Sequence, residues 1–181
     1  MVGWLGIWIC WQWILFPLVG AAALNRNFRF FVSHFSLKPM DADLFEGVNA
    51  EVMNGNTITS YIIFKRNVDQ FELDTSFDML KPNNQKLRLF QNRFDGCQFL
   101  NTNHKNRLFN MFIKSLKQSS NTILRCPLKS HFNYTITKMH LNETDFPQYV
   151  PECDFQGLTK FYIRNKFVFR MFMKGRVEYK N

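Results

Sequence analysis

The residue types that carry out most enzymatic chemistry are sparsely placed in this chain. No Gly-x-Ser-x-Gly sets a serine on a sharp turn, no His-Glu-x-x-His holds a zinc-bound water, and no glycine-rich loop cradles a phosphate. The histidines are His34, His104, His131 and His140. None has a second His or a Cys at a usual metal-ligand spacing, so each reads as structural. The sequence therefore predicts no catalytic residue, no metal and no cofactor. A protein that binds, and is not an enzyme, is the expectation.

The legible chemistry is that of the secretory route. Met1 to Ala23 holds no Asp, Glu, Lys or Arg. Its apolar run meets Pro17, a helix breaker, then Gly20 and three alanines, which suit a small-residue cleavage site. We read residues 1–23 as a signal peptide and residues 24–181 as one domain of a secreted, extracellular protein. All four tryptophans (Trp4, Trp8, Trp11, Trp13) lie in the leader. Cys10 leaves with it, and Cys97, Cys126 and Cys153 remain. Cys97 and Cys126 flank a helical pattern and are the favoured disulfide, worth about 3–4 kcal/mol in the chain-entropy model. Cys153 is left unpaired, pairs with one of the others, or links two chains. Asn133-Tyr134-Thr135 and Asn142-Glu143-Thr144 are acceptor sequences for glycans on Asn133 and Asn142.

Positioning falls to elements read from periodicity. Asn25 to Met40 is polar and aromatic without a clear period, and reads as an extended lead-in. Leu44 to Met53 and Thr57 to Lys65 flank Asn54-Gly55-Asn56, strong turn chemistry, and form a hairpin. Val68 to Met79 alternates strictly: Phe71, Leu73, Thr75, Phe77 and Met79 on one side, and Gln70, Glu72, Asp74, Ser76 and Asp78 on the other. That predicts a strand with one wet face. Lys81 to Asn84 turns the chain into a strand over Leu87 to Phe94, closed by Asp95-Gly96. From His104 to Gln118 the period becomes helical, with Leu108, Phe109, Phe112, Ile113 and Leu116 in one stripe. Strands resume over His131 to Leu141, Gly157 to Arg164 and Lys166 to Tyr179. Seven or eight strands and one amphipathic helix predict a mostly β sandwich.

Hydrophobic residues make up 46% of the chain, and Phe alone occurs 21 times. Rings in such number fill a wide core or line a cavity. The candidate cavity lining is Phe64, Phe71, Phe77, Phe99, Phe109, Phe112, Phe132, Phe169 and Met171. The net charge is +9, but Lys and Arg are spread without a dense run. A solvated surface accounts for most of them. We expect no nucleic-acid partner and membrane contact that is at most peripheral, with the helix docked on the sheet.

Asp95-Gly96-Cys97-Gln98-Phe99-Leu100, the helix, Ser120-Asn121, Cys126-Pro127-Leu128, Tyr134, and Phe146-Pro147 with Pro151 come in an order with a counterpart. The set resembles the insect-expanded secreted family catalogued as domain-of-unknown-function family 1091, best over Phe90 to Phe155. That family is similar to CheB-type chemosensory proteins and, more distantly, to the ML lipid-recognition superfamily that includes the ganglioside activator. The resemblance implies an immunoglobulin-like β-sandwich whose sheets part around a lipid or other apolar small molecule. It also implies a possible chemosensory role. The family usually has Gly, an acid and an aromatic after the proline matching Pro151. Here Glu152, Cys153, Asp154 and Phe155 follow, and the added thiol opens the prospect of a disulfide-linked dimer. A second expectation is an extracellular protein-interaction module or receptor accessory subunit with no small ligand.

Overall fold

In the computed structural model, the described residues are 27–81, 85–101, 107–147 and 150–180. The leader over 1–23, the turn residues 82–84 and the expected first residues of the helix, 104–106, lie outside them.

Among the described residues the chain forms eight strands: β1 (Phe28–Pro39), β2 (Phe45–Met53), β3 (Thr57–Phe64), β4 (Glu72–Leu80), β5 (Lys86–Asp95), β6 (Asn133–Met139), β7 (Cys153–Ile163) and β8 (Lys166–Tyr179). Two helices, α1 (Gly96–Asn101) and α2 (Arg107–Ser119), follow β5, and a 3-10 turn spans Glu143–Asp145. A five-stranded sheet runs β1-β8-β7-β4-β5 and a three-stranded sheet β2-β3-β6. Every strand pair is antiparallel. The chain is mostly β, as the patterning predicts.

The sheets face each other across a core drawn from both. Phe28, Phe30 and Val32 of β1 pack with Ile58 of β3, Met139 of β6, and Phe155, Met173 and Val177 of β7 and β8. Toward the opposite end, Leu44, Phe45, Val68, Phe71, Leu73, Val168 and Phe169 form a second cluster. The three-stranded sheet is too narrow to cover five strands. Helix α2 supplies the missing width. It lies beside β6, and its Phe109 ring meets Phe90 and Phe94 of β5 at 5.1 and 5.3 Å. On one edge the layers are joined directly, because the Val32 amide donates to the Gly55 carbonyl at 2.6 Å.

Three expectations need correction. The lead-in is a full strand of 12 residues, β1. Phe28, Phe30 and Val32 point inward, but the register slips between Val32 and His34. The inward set then becomes Phe35 and Leu37, which pack on the core. A bulge that reverses the phase of a strand erases its period. Second, the polar face of β4 is not uniformly wet. Asp78 is 3% exposed and Ser76 is buried, because β4 is flanked by strands on both sides and Arg88 and Gln156 close over Asp78. Third, the buried surface of α2 is broader than one stripe. Met111 and Ser115 are buried along with Ile113. The helix is packed on two sides, by β6 and by the β4–β5 face.

Candidate functional site

The apolar site lies at the end of the sandwich where two hairpins begin or close. The β2–β3 hairpin is turned by Asn54 and Gly55, at φ 51° and 67°. The Asn-Gly pair accepts this left-handed geometry readily. Its open end brings Phe45, Ile62 and Phe64 to the site. The β7–β8 hairpin is closed by Arg164 and Asn165, at φ 48° and 62°, and delivers Phe161, Ile163, Val168 and Phe169. There the register slips between Phe161 and Tyr162, so that Phe161 faces Phe169 while Tyr162 faces Phe167. Val168 falls in the bulge, which is why Val168 and Phe169 are both buried although adjacent. Leu44, Val68, Phe71 and Leu128, from the connecting segments, complete the wall.

All eleven lining residues are apolar, and they surround a cavity of about 30 Å³. The rings touch one another. Phe45 lies 5.4 Å from Phe64 and 5.3 Å from Phe169. Phe161 lies 5.1 Å from Phe169 and stacks on Phe71 at 5.9 Å. Gly96 fixes the Phe71 ring from behind: a Cβ there would fall 2.1 Å from Phe71 Cε2, and the Gly96 amide donates to the Phe71 carbonyl at 2.7 Å. The rim is polar and ordered. Lys166 donates to Asp41 Oδ2 at 2.7 Å, and the Asp41 amide donates to the Val168 carbonyl at 3.3 Å. The hydrogen bond from Lys166 holds the Asp41 carboxyl below the usual carboxylate range against the opposing effect of burial.

Of the residues singled out as cavity lining, Phe64, Phe71 and Phe169 come together here. Phe77 stacks instead on Phe90 and Phe155. Phe99 and Phe109 join Phe94 under the helices. Phe112 is half-buried against the first core cluster and Met171 against the second. Phe132 is exposed and meets Tyr134 at 4.7 Å. Phe45, Phe161 and Val168 were not anticipated.

Cys97 and Cys126 are joined in a disulfide, which ties α1 to the segment after α2. Cys153 is a free thiol, half-buried against the core; burial, reinforced by Asp154, pushes its pKa up. Asn133 and Asn142 are both exposed. Each side-chain carbonyl accepts from the threonine hydroxyl two residues on, at 3.1 and 2.8 Å. Among the described residues, no group of three His, Cys, Asp or Glu is placed to hold a metal, and no helix is long and apolar enough to cross a membrane.

Fold and site together define a small two-sheet β-sandwich with an apolar crevice at one end. Residues 71–157 match the family described as "Protein of unknown function (DUF1091)", the stretch whose motifs carry the resemblance. No curated protein matches the chain. Among solved structures, the chain is similar to the crystal structure of chicken MD-1 complexed with lipid IVa. That likeness has a TM-score of 0.35 and 10% identity over 84% of this chain and 96% of the other.

Proposed function

We propose that the protein is a secreted, non-enzymatic binding module for a lipid or other apolar small molecule, taken up at the crevice between the β2–β3 and β7–β8 hairpins. The carrying observation is the wall itself. Eleven apolar side chains from both sheets and three connections converge with no polar group among them. Small-molecule sites are lined in this way, but usually offer roughly 300–1,000 Å³. The present 30 Å³ is about one water's share of liquid volume. A ligand therefore enters by displacing rings. Phe45 and Phe64, on the narrower sheet, are the pair that moves. The disulfide suits an oxidising compartment, and glycans on Asn133 and Asn142 and a chemosensory role belong to the same reading.

Native mass spectrometry of the secreted protein, followed by organic extraction, tests it. The expected result is an apolar molecule at near one per chain, lost on denaturation. A clean unliganded mass after exposure to lipid mixtures would sink the proposal and move the function to protein–protein interaction.

A further inference from the structure

The outer face of the five-stranded sheet, turned away from the crevice, carries a row of charges that its own fold does not neutralise. Lys38 on β1 stands directly opposite Arg170 on β8. Arg170 stands directly opposite Lys160 on β7. Residues so paired share a face, with Cβ atoms about 5 Å apart, and like charges placed this way destabilise a sheet. Elsewhere on this face Arg29 pairs with Glu178, Arg88 with Asp78, Arg93 with Glu72 and Arg176 with Asp154, while Lys174 on β8 stands opposite Gln156. Lys38, Arg170 and Lys160 form no ion pair with a described residue. Asp74, next in the row on β4, stands between Lys160 and Arg93.

We infer that this row is a binding track for a linear sulfated polysaccharide. Three cations in line across adjacent strands match a chain of repeating anions better than a single phosphate. The next row of the same face holds Ser36, Phe172 and Leu158. Phe172 and Leu158 are half-buried, so little apolar surface beside the track is free to insert among lipid tails, which weighs against a bilayer. Around the row the strands pair residue for residue, from Leu37 to Pro39 against β8 and from Thr159 to Phe161 against β8, so the charges are spaced by the backbone and need little ordering on binding. The repulsion stored in the free protein is relieved when sulfates lie between the cations.

The test uses the whole secreted protein on immobilised heparin and in titrations with soluble heparin. A K38Q/K160Q/R170Q variant is compared with K117Q/K129Q/K180Q, which removes the same charge elsewhere. The wild type is expected to be retained at about 0.15 M salt. The row variant should lose about tenfold or more in affinity and the control about threefold or less, because adjacent contacts act together. The row variant should also melt no lower than the wild type, since it removes like-charge neighbours. Equal losses in the two variants would reduce the effect to net charge and overturn the proposal. So would a wild type that is not retained, one that binds phosphatidylserine vesicles or duplex DNA more tightly than heparin, or a row variant that melts lower.

Discussion

Asp78 is a carboxylate 3% exposed in the middle of a sheet, and its partners explain why that is tolerated. Burial raises its pKa, but hydrogen bonds from Arg88 and Gln156 and the charges of Arg88 and Lys86 outweigh this, and the carboxyl stays below the usual range. A folded pKa below the unfolded one gives stability that is complete above about pH 4 and is lost as pH falls through the folded value. Arg88 is half exposed, so solvent screens the pair, and we expect Asp78→Asn to cost about 1 kcal/mol at pH 7. Denaturant unfolding at pH 7 and pH 3 checks this: the cost should shrink at the lower pH. An equal cost at both would show that charge plays no part. The sequence placed Asp78 on the polar side of β4 correctly. Its burial could not be read there, because it depends on which strands flank β4.

At the scale of elements, strands were legible where a slip falls near an end or on the partner strand, and β1, whose phase reverses in mid-strand, was not. The β2–β3 hairpin follows from Asn54-Gly55, and β4 from its alternation. β1 was obscured by the slip after Val32, and the crevice wall by the slip at Phe161. The pairing of β1 with β8 also depends on Gly175, which stands opposite Val32 and which periodicity does not mark. A Cβ there would fall 2.4 Å from the Phe31 carbonyl oxygen and 2.6 Å from Phe155 Cζ. The backbone contact cannot yield as a side chain would. Gly175→Ala should therefore destabilise by about 1–3 kcal/mol, measured as a lower denaturant midpoint. An unchanged midpoint would mean that β1 shifts freely over β8.

For the whole molecule, the surplus of Phe divides into a packed interior and a crevice, and sequence alone could not assign rings to either. Both uses demand the same inward aromatics. Phe169 separates them experimentally, because it is 2% exposed and also lines the crevice. Phe169→Ala should cost about 3–5 kcal/mol, and a small apolar probe such as benzene should restore part of that by binding the enlarged space. Melting scans with and without the probe decide it. No recovery would mean that the surrounding rings collapse into the vacancy.

The bond from Val32 to Gly55 has a mechanical consequence. It holds the tip of the β2–β3 hairpin to the opposite sheet, while Phe45 and Phe64 sit at the hairpin's other end. β2 has 9 residues, which makes a lever of roughly 27–30 Å from pivot to crevice. Rocking the hairpin by about 10° about that pivot would swing Phe45 by roughly 5 Å, close to the thickness of an acyl chain, while the tip barely moves. Aperture at one end is thus geared to near-immobility at the other.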